Sequence, residues 1–347
     1  MAGIFRRVAR RSSLAQIRHI DPVRPEAATG LVAGVYDRLE REFGMLAPPI
    51  ALHSPAPDVL GASWLMLRET LIATGRADRA TKEAVGTAVS RGNTCPYCVE
   101  VHSATLRGLA PGPGLAEIDA WAESCGHAGN RRDMPFPAGH AAELIGVVVS
   151  FHYLNRMVNV FLRESPFPSD LPVPMQGRLL RLLVRILGPH TRAARRPGES
   201  VDLLPPATAP ADLSWAAGSP HVAEAFARAT AAVDAAAEAT VPVSVRELVL
   251  SELSGWSGDA PGMSRAWVED AVSALSAADR PAGRLALLTA RASYQVGPSV
   301  VAEFRDGRPA DRALVELTSW ASLAAARRVG SWTWDALRGR PEFSGGG

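Results

Sequence analysis

The chain has 347 residues, 47% of them apolar and 21% charged, with a formal net charge of +2. That is ample material for a full hydrophobic core and too apolar for a disordered chain, and the length predicts two domains or one domain built from two repeats. The charge balance excludes a strongly basic nucleic-acid surface: Lys82 is the only lysine among 37 basic residues, so the arginine excess reads as GC-rich coding rather than a phosphate-binding face.

From the start of the chain, residues 1–24 read as an N-terminal arm. Arg6, Arg7, Arg10 and Arg11 stand without the apolar region of a secretory signal, and a frayed terminus is expected. No apolar run approaches the roughly 20 residues that span a bilayer; the densest, Leu144–Val149, suits a buried helix. Strand signals are scarce and helical periodicity is common, which predicts an all-α protein. Residues 27–46 form an amphipathic segment, and a second follows the break at Ser54-Pro55. The next helix should begin after Asp78 as N-cap and run to Arg91. Gly92-Asn93 is expected to supply the left-handed stop. A further helix follows at once, capped by Thr94 or Asn93, with Pro96 in its first turn.

A long apolar helix is expected from Gly139 to Phe161, and a basic one over about 176–187. Residues 188–212, rich in Pro and Gly, read as a linker. The later half, 213–340, then echoes the first (25–187) in punctuation: Ser219-Pro220 answers Ser54-Pro55, Val245-Arg246-Glu247 answers Thr81-Lys82-Glu83, and Pro281-Ala282-Gly283 answers Pro137-Ala138-Gly139. Asp259, Gly262 and Ala266 stand where thiols and imidazole would fall in that second copy, so it is expected to be degenerate and catalytically silent.

Chemistry concentrates in the predicted hairpin. Cys95, Cys98 and His102 fall at i, i+3 and i+7, on one helix face, and Glu83 lies on the preceding helix. Two thiols at this spacing can close a disulfide, and a helix N-terminus lowers a cysteine pKa from its usual value of about 8.5. His102 can pair with the Cys98 sulfur one turn away, and Glu83 can take a proton directly or through the imidazole. Position at a turn argues against simple burial of the two sulfurs. The competing reading is zinc held by Cys95, Cys98 and His102 with Cys125 or His127, although structural zinc sites usually bring two ligand pairs on short knuckles. Three cysteines do not make a disulfide framework, and a reducing, cytoplasmic setting is expected. No glycine-rich phosphate loop is present, so no nucleotide, flavin or other cofactor is expected.

The intervals joining Glu83, Cys95, Cys98 and His102 are 12, 3 and 4 residues. They resemble the E-x11-C-x2-C-x3-H signature of the alkylhydroperoxidase D family, within the carboxymuconolactone decarboxylase-like superfamily. His53-Ser54-Pro55, Ser103 and Phe151–Arg156 add to the likeness over about residues 30–165. The resemblance implies an all-helical bundle of two tandem repeats, a homo-oligomer (dimer, trimer or hexamer), and thiol-dependent peroxidase activity with a Glu–His relay. It casts Cys98 as the attacking thiol and Cys95, nearer an exposed helix start, as the resolving one, with the reverse order open. A dithiol reductant follows: a lipoyl group, a thioredoxin-like protein or a low-molecular-weight thiol. Nucleic acid and membrane are not expected partners. His152, Asn155 and Arg156 either line the thiol cavity or, in the case of Arg156, pair with an acid elsewhere. A non-redox lyase or isomerase of the decarboxylase type and a zinc or redox sensor are the alternatives.

Overall fold

Helices account for the regular structure of this computed structural model, and no strand occurs among its described residues, which are 9–110, 112, 114–129, 132–167, 171–307 and 310–338. The helices of ten or more residues, in chain order, are α1 (Gly30–Phe43), α2 (Pro57–Leu67), α3 (Arg79–Gly92), α4 (Pro96–Gly108), α5 (Leu115–Ser124), α6 (Ala141–Phe161), α7 (Val173–Arg192), α8 (Pro220–Thr240), α9 (Val243–Ser254), α10 (Arg280–Ala292) and α11 (Asp311–Arg338). The all-α class expected from the periodicity is the class observed.

The axis of the fold is α6. It is apolar all round, and such a helix belongs in the interior; every residue of it except Asn159 is buried. By length and composition it could cross a membrane, but 94% of its apolar window lies inside the fold. It is packed between α3 of the first half and α11 of the second. A single hydrophobic cluster runs from Ile20 to Leu337, drawing on both halves. The stretch 188–212 begins inside the last turns of α7, and its Ser200 and Leu204 are buried.

Residues 9–24 do not fray. Arg18 donates from its backbone N–H to the Phe161 carbonyl at 2.7 Å, Tyr36 donates to the Val23 carbonyl at 2.8 Å, and Ile20 is buried. Of the stretch expected to fray, residues 1–11, only 9–11 are described, and there Arg10 donates to Glu40 Oε2 at 2.8 Å; residues 1–8 lie outside the described ones.

The hairpin between α3 and α4 positions the thiols. Asp78 caps α3 as expected, accepting from the Thr81 N–H at 2.9 Å and its hydroxyl at 2.8 Å. The stop is displaced by one residue. Gly92 remains helical, Asn93 has φ −87°, and the left-handed residue is Thr94, φ +52°. The Thr94 N–H donates to the Arg91 carbonyl and the Cys95 N–H to the Ser90 carbonyl, each at 3.0 Å, a Schellman closure. The N-cap of α4 is accordingly Cys95, not Thr94 or Asn93. A β-branched residue in the left-handed region is strained, and glycine is not. Thr94→Gly is therefore expected to raise the unfolding free energy by about 1 kcal/mol, measured by denaturant titration; a loss of stability would mean that the threonine side chain holds the turn.

Candidate active site

Cys95 ends the turn and Cys98 sits in the first turn of α4. Both thiols are free and buried, 1% and 4% exposed. A turn position did not keep them at the surface, because α6 and the N-terminal segment close over α4. Cys98 and His102, on one face of α4, open into a cavity of about 540 Å³. Phe151, Leu154 and Asn155 of α6 form another wall, apolar side chains of α7 a third, and Ser13 and Gln16 of the N-terminal segment a fourth. Tyr97 ties that segment to α4 by donating to Gln16 Oε1 at 2.9 Å. Cys95 does not line the cavity, which corrects the expectation that it is the more accessible sulfur.

Glu83 is completely buried on α3. Burial alone would push its carboxyl up, but the Arg79 guanidinium and then His102 outweigh this and hold it below the ordinary carboxylate range. Arg79 Nε donates to Oε1 at 2.8 Å. An ionised carboxylate only accepts hydrogen bonds, so at 2.7 Å from Oε2 it is His102 Nδ1 that carries the proton and donates. In the neutral ring, that leaves Nε2 as the lone-pair nitrogen. Glu83 therefore fixes a tautomer and an orientation. It is too acidic in this setting to serve as the direct proton acceptor that its spacing suggested.

The imidazole is steadied from its other side by Phe151, edge to face at 4.7 Å between ring centres. Phe151 in turn fits because residue 86 is glycine: a Cβ there would lie 2.5 Å from the phenyl Cζ. The hydrogen-bonding neighbours of the Cys98 sulfur are Cys95 and Asn155 rather than His102. Burial, and then the Cys95 sulfur, push the Cys98 thiol well above the usual cysteine value, with Asn155 opposing. The expected lowering by the helix N-terminus is thus overridden by desolvation. A resting thiol of this kind needs a base within the cavity before it can attack anything.

Asn155 is fixed in that role. Its Nδ2 donates to Ser90 Oγ and its Oδ1 accepts from Asn93 Nδ2, both at 3.1 Å. His152 and Arg156, grouped with it in sequence, line a separate cavity instead. Cys125 is also apart: its buried thiol donates to the Trp121 carbonyl at 3.3 Å, and no three His, Cys, Asp or Glu side chains converge as metal ligands among the described residues. The zinc grouping of Cys95, Cys98 and His102 with Cys125 or His127 is not assembled. Sequence reasoning missed Arg79 and Gln16, and it noted Phe151 only as part of a family likeness without giving it a role; of these, Arg79, four residues before Glu83 and so one turn away on the same face, left a readable signal.

The chain is similar to known proteins. The carboxymuconolactone decarboxylase family model matches residues 59–111, the stretch holding α2, α3 and α4. An alkyl hydroperoxide reductase of Mycobacterium tuberculosis (strain H37Rv) is 37% identical over 340 residues, covering 93% of this chain and 97% of that protein.

The buried carboxylate makes stability depend on pH in a defined direction. Its folded pKa is depressed, so its contribution is complete above the unfolded value of about 4.3 and is lost as pH falls through the folded value. Glu83→Gln is expected to cost about 2 kcal/mol at pH 7, and the gap to wild type should narrow as pH drops below about 4. Denaturant unfolding at several pH values checks this; a gap constant down to pH 3 would mean that ionisation of Glu83 is not what the fold uses.

Proposed function

The chain belongs to the carboxymuconolactone decarboxylase family, in its alkylhydroperoxidase D-like branch, and on that premise we propose that it is a thiol-dependent peroxidase acting on apolar organic hydroperoxides. The observation that carries this reading is one apolar cavity holding Cys98 together with an imidazole whose Nδ1–H is anchored on a buried carboxylate.

His102 Nε2 takes the Cys98 proton, and the thiolate attacks the terminal peroxide oxygen. The O–O bond breaks, the sulfur becomes a sulfenic acid, and the alkoxide leaves as an alcohol with the proton returned by His102. The Cys95 thiol then displaces hydroxide from that sulfur, giving a Cys95–Cys98 disulfide and water. A dithiol donor supplies two electrons and two protons to restore both thiols. Arg79 and Glu83 touch no substrate; they hold the imidazole. Since Cys95 is screened from solvent, the reductant enters by the same cavity, which suits an extended lipoyl arm or a low-molecular-weight thiol better than the broad face of a thioredoxin-like protein.

Two features weigh against the lyase reading. A lactone carboxylate would want a cation, and neither Arg nor Lys is among the described lining residues. The walls are also mostly aliphatic and aromatic, a poor setting for a polar substrate.

Cys98→Ser is expected to abolish peroxide turnover. Cys95→Ser should stop after one turnover with a sulfenic acid that a dimedone-type probe captures on Cys98. Full turnover in both variants would overturn the proposal. The apolar walls further predict that kcat/KM for cumene hydroperoxide exceeds that for hydrogen peroxide by about tenfold or more, since burying even two methylene equivalents suffices for that ratio; equal values would remove the substrate assignment while leaving the thiol chemistry.

A further inference from the structure

A second cavity of about 170 Å³ lies between α6 and the second half of the chain, with Asn93, His152, Arg156, Trp256, Arg291 and Ser293 in its lining. Its chemistry is the reverse of the first. Arg156 is 5% exposed, yet no carboxylate pairs with it among the described residues. Its Nε donates to the Ala290 carbonyl at 2.8 Å and its Nη1 to the His152 carbonyl at 2.6 Å, and no hydrogen bond from Nη2 occurs among the described residues. Burial is the one cause that lowers its pKa, to about 10, so no acid offsets the charge and the group remains a cation at neutral pH. Its guanidinium lies over the Trp256 ring at 5.8 Å, a contact that offsets only part of the cost of burying a charge with no counter-ion.

His152 is 4% exposed and completes the pattern. Its Nδ1 lies 3.1 Å from Arg156 Nη1 and, facing a guanidinium, can only accept. Burial first, then the charges of Arg156 and His127, keep the ring neutral. The proton is therefore on Nε2, a buried donor with no partner. The Ser293 hydroxyl accepts from Asn159 Nδ2 at 3.0 Å and keeps its own hydrogen to give. Of the neighbouring acids, Glu252 pairs with Arg291 at 2.8 Å and Asp259 lies 3.9 Å from His127; Glu123 is in the cavity lining and leans toward Arg91, 3.7 Å away. The cavity is thus bordered by a buried guanidinium with no acidic partner among the described residues and by hydrogen-bond donors, with the Glu123 carboxylate on its Arg91 side.

We propose that this cavity is a binding site for a small oxyanion, a carboxylate or phosphate of about five heavy atoms. The size follows from the volume, which is that of about five or six waters. The oxygen requirement follows from the divergent donors, since a planar guanidinium fork matches a two-oxygen edge better than a spherical halide. The site is distinct from the thiol cavity, although Asn93 touches both environments through its bond to Asn155. Nothing in it depends on the peroxidase reading.

The test is calorimetric titration of the reduced full-length protein, and of Cys98→Ser, with inorganic phosphate and with propionate at constant ionic strength and pH 7. Saturable one-to-one binding of at least one of them is expected in both proteins, weakened about tenfold or more by Arg156→Lys and by His152→Phe. Absence of saturable binding of either anion, or unchanged affinity in both folded variants, overturns the proposal. Should the variants not fold, the His152 Nε2–H resonance of the wild type gives the answer: it moves in step with the titration if the anion binds there, and its staying fixed would refute the site.

Discussion

A carboxylate without solvent is the constraint around which this site is arranged. Glu83 stays ionised inside the protein only because Arg79 and His102 share it between them. The ion pair is therefore more than a stabilising contact. It dictates which imidazole nitrogen carries the proton toward the carboxylate and which way the ring faces. Because breaking one arm of such a buried group leaves an unmatched charge, the arrangement tolerates little drift. Rigidity of the base comes from electrostatics, while the sulfurs are placed by the backbone turn that precedes them.

The surrounding bundle serves that geometry from two directions. Helix α6 delivers Phe151 and Asn155 to the thiol cavity and, along the same helix, His152 and Arg156 to the second one. The later half of the chain contributes no thiol, yet α11 packs along α6 and keeps it buried. Residues 9–24 close the remaining side, so that the Cys98 sulfur lies under largely apolar cover. The exclusion of water raises the Cys98 pKa and at the same time strengthens the Glu83–His102 hydrogen bond.

Much of this was legible in the amino-acid order. The helix over 79–92, its Asp78 cap, the long apolar helix and the clustering of Glu83, Cys95, Cys98 and His102 all follow from spacing and periodicity. What was not legible depends on contacts between distant segments. Burial of the thiol pair requires α6 and residues 9–24, neither of which is near in sequence. The depressed acidity of Glu83 was half-readable, since Arg79 stands one turn before it, but its consequence for the proton path needed the His102 distance. The splitting of His152 and Arg156 from Asn155 was hidden for a simpler reason: His152 and Arg156, four apart, share one face, whereas Asn155 stands next to Arg156 and so points about 100° away from it, and on a helix buried all round the sequence does not say which face meets the thiols. The one-residue displacement of the stop onto Thr94 shows that glycine preference at a helix end is a tendency that a Schellman closure can override.

Gly86 carries none of the chemistry, yet its missing side chain leaves room for Phe151, on which the imidazole rests. A single methyl at that position would press on the aromatic ring and disturb the imidazole packed against it. A relative bearing alanine there would retain every signature residue and still be miswired. Scanning genomes for the acid, the two thiols and the imidazole therefore overcounts working copies unless the unadorned backbone beneath them is checked as well.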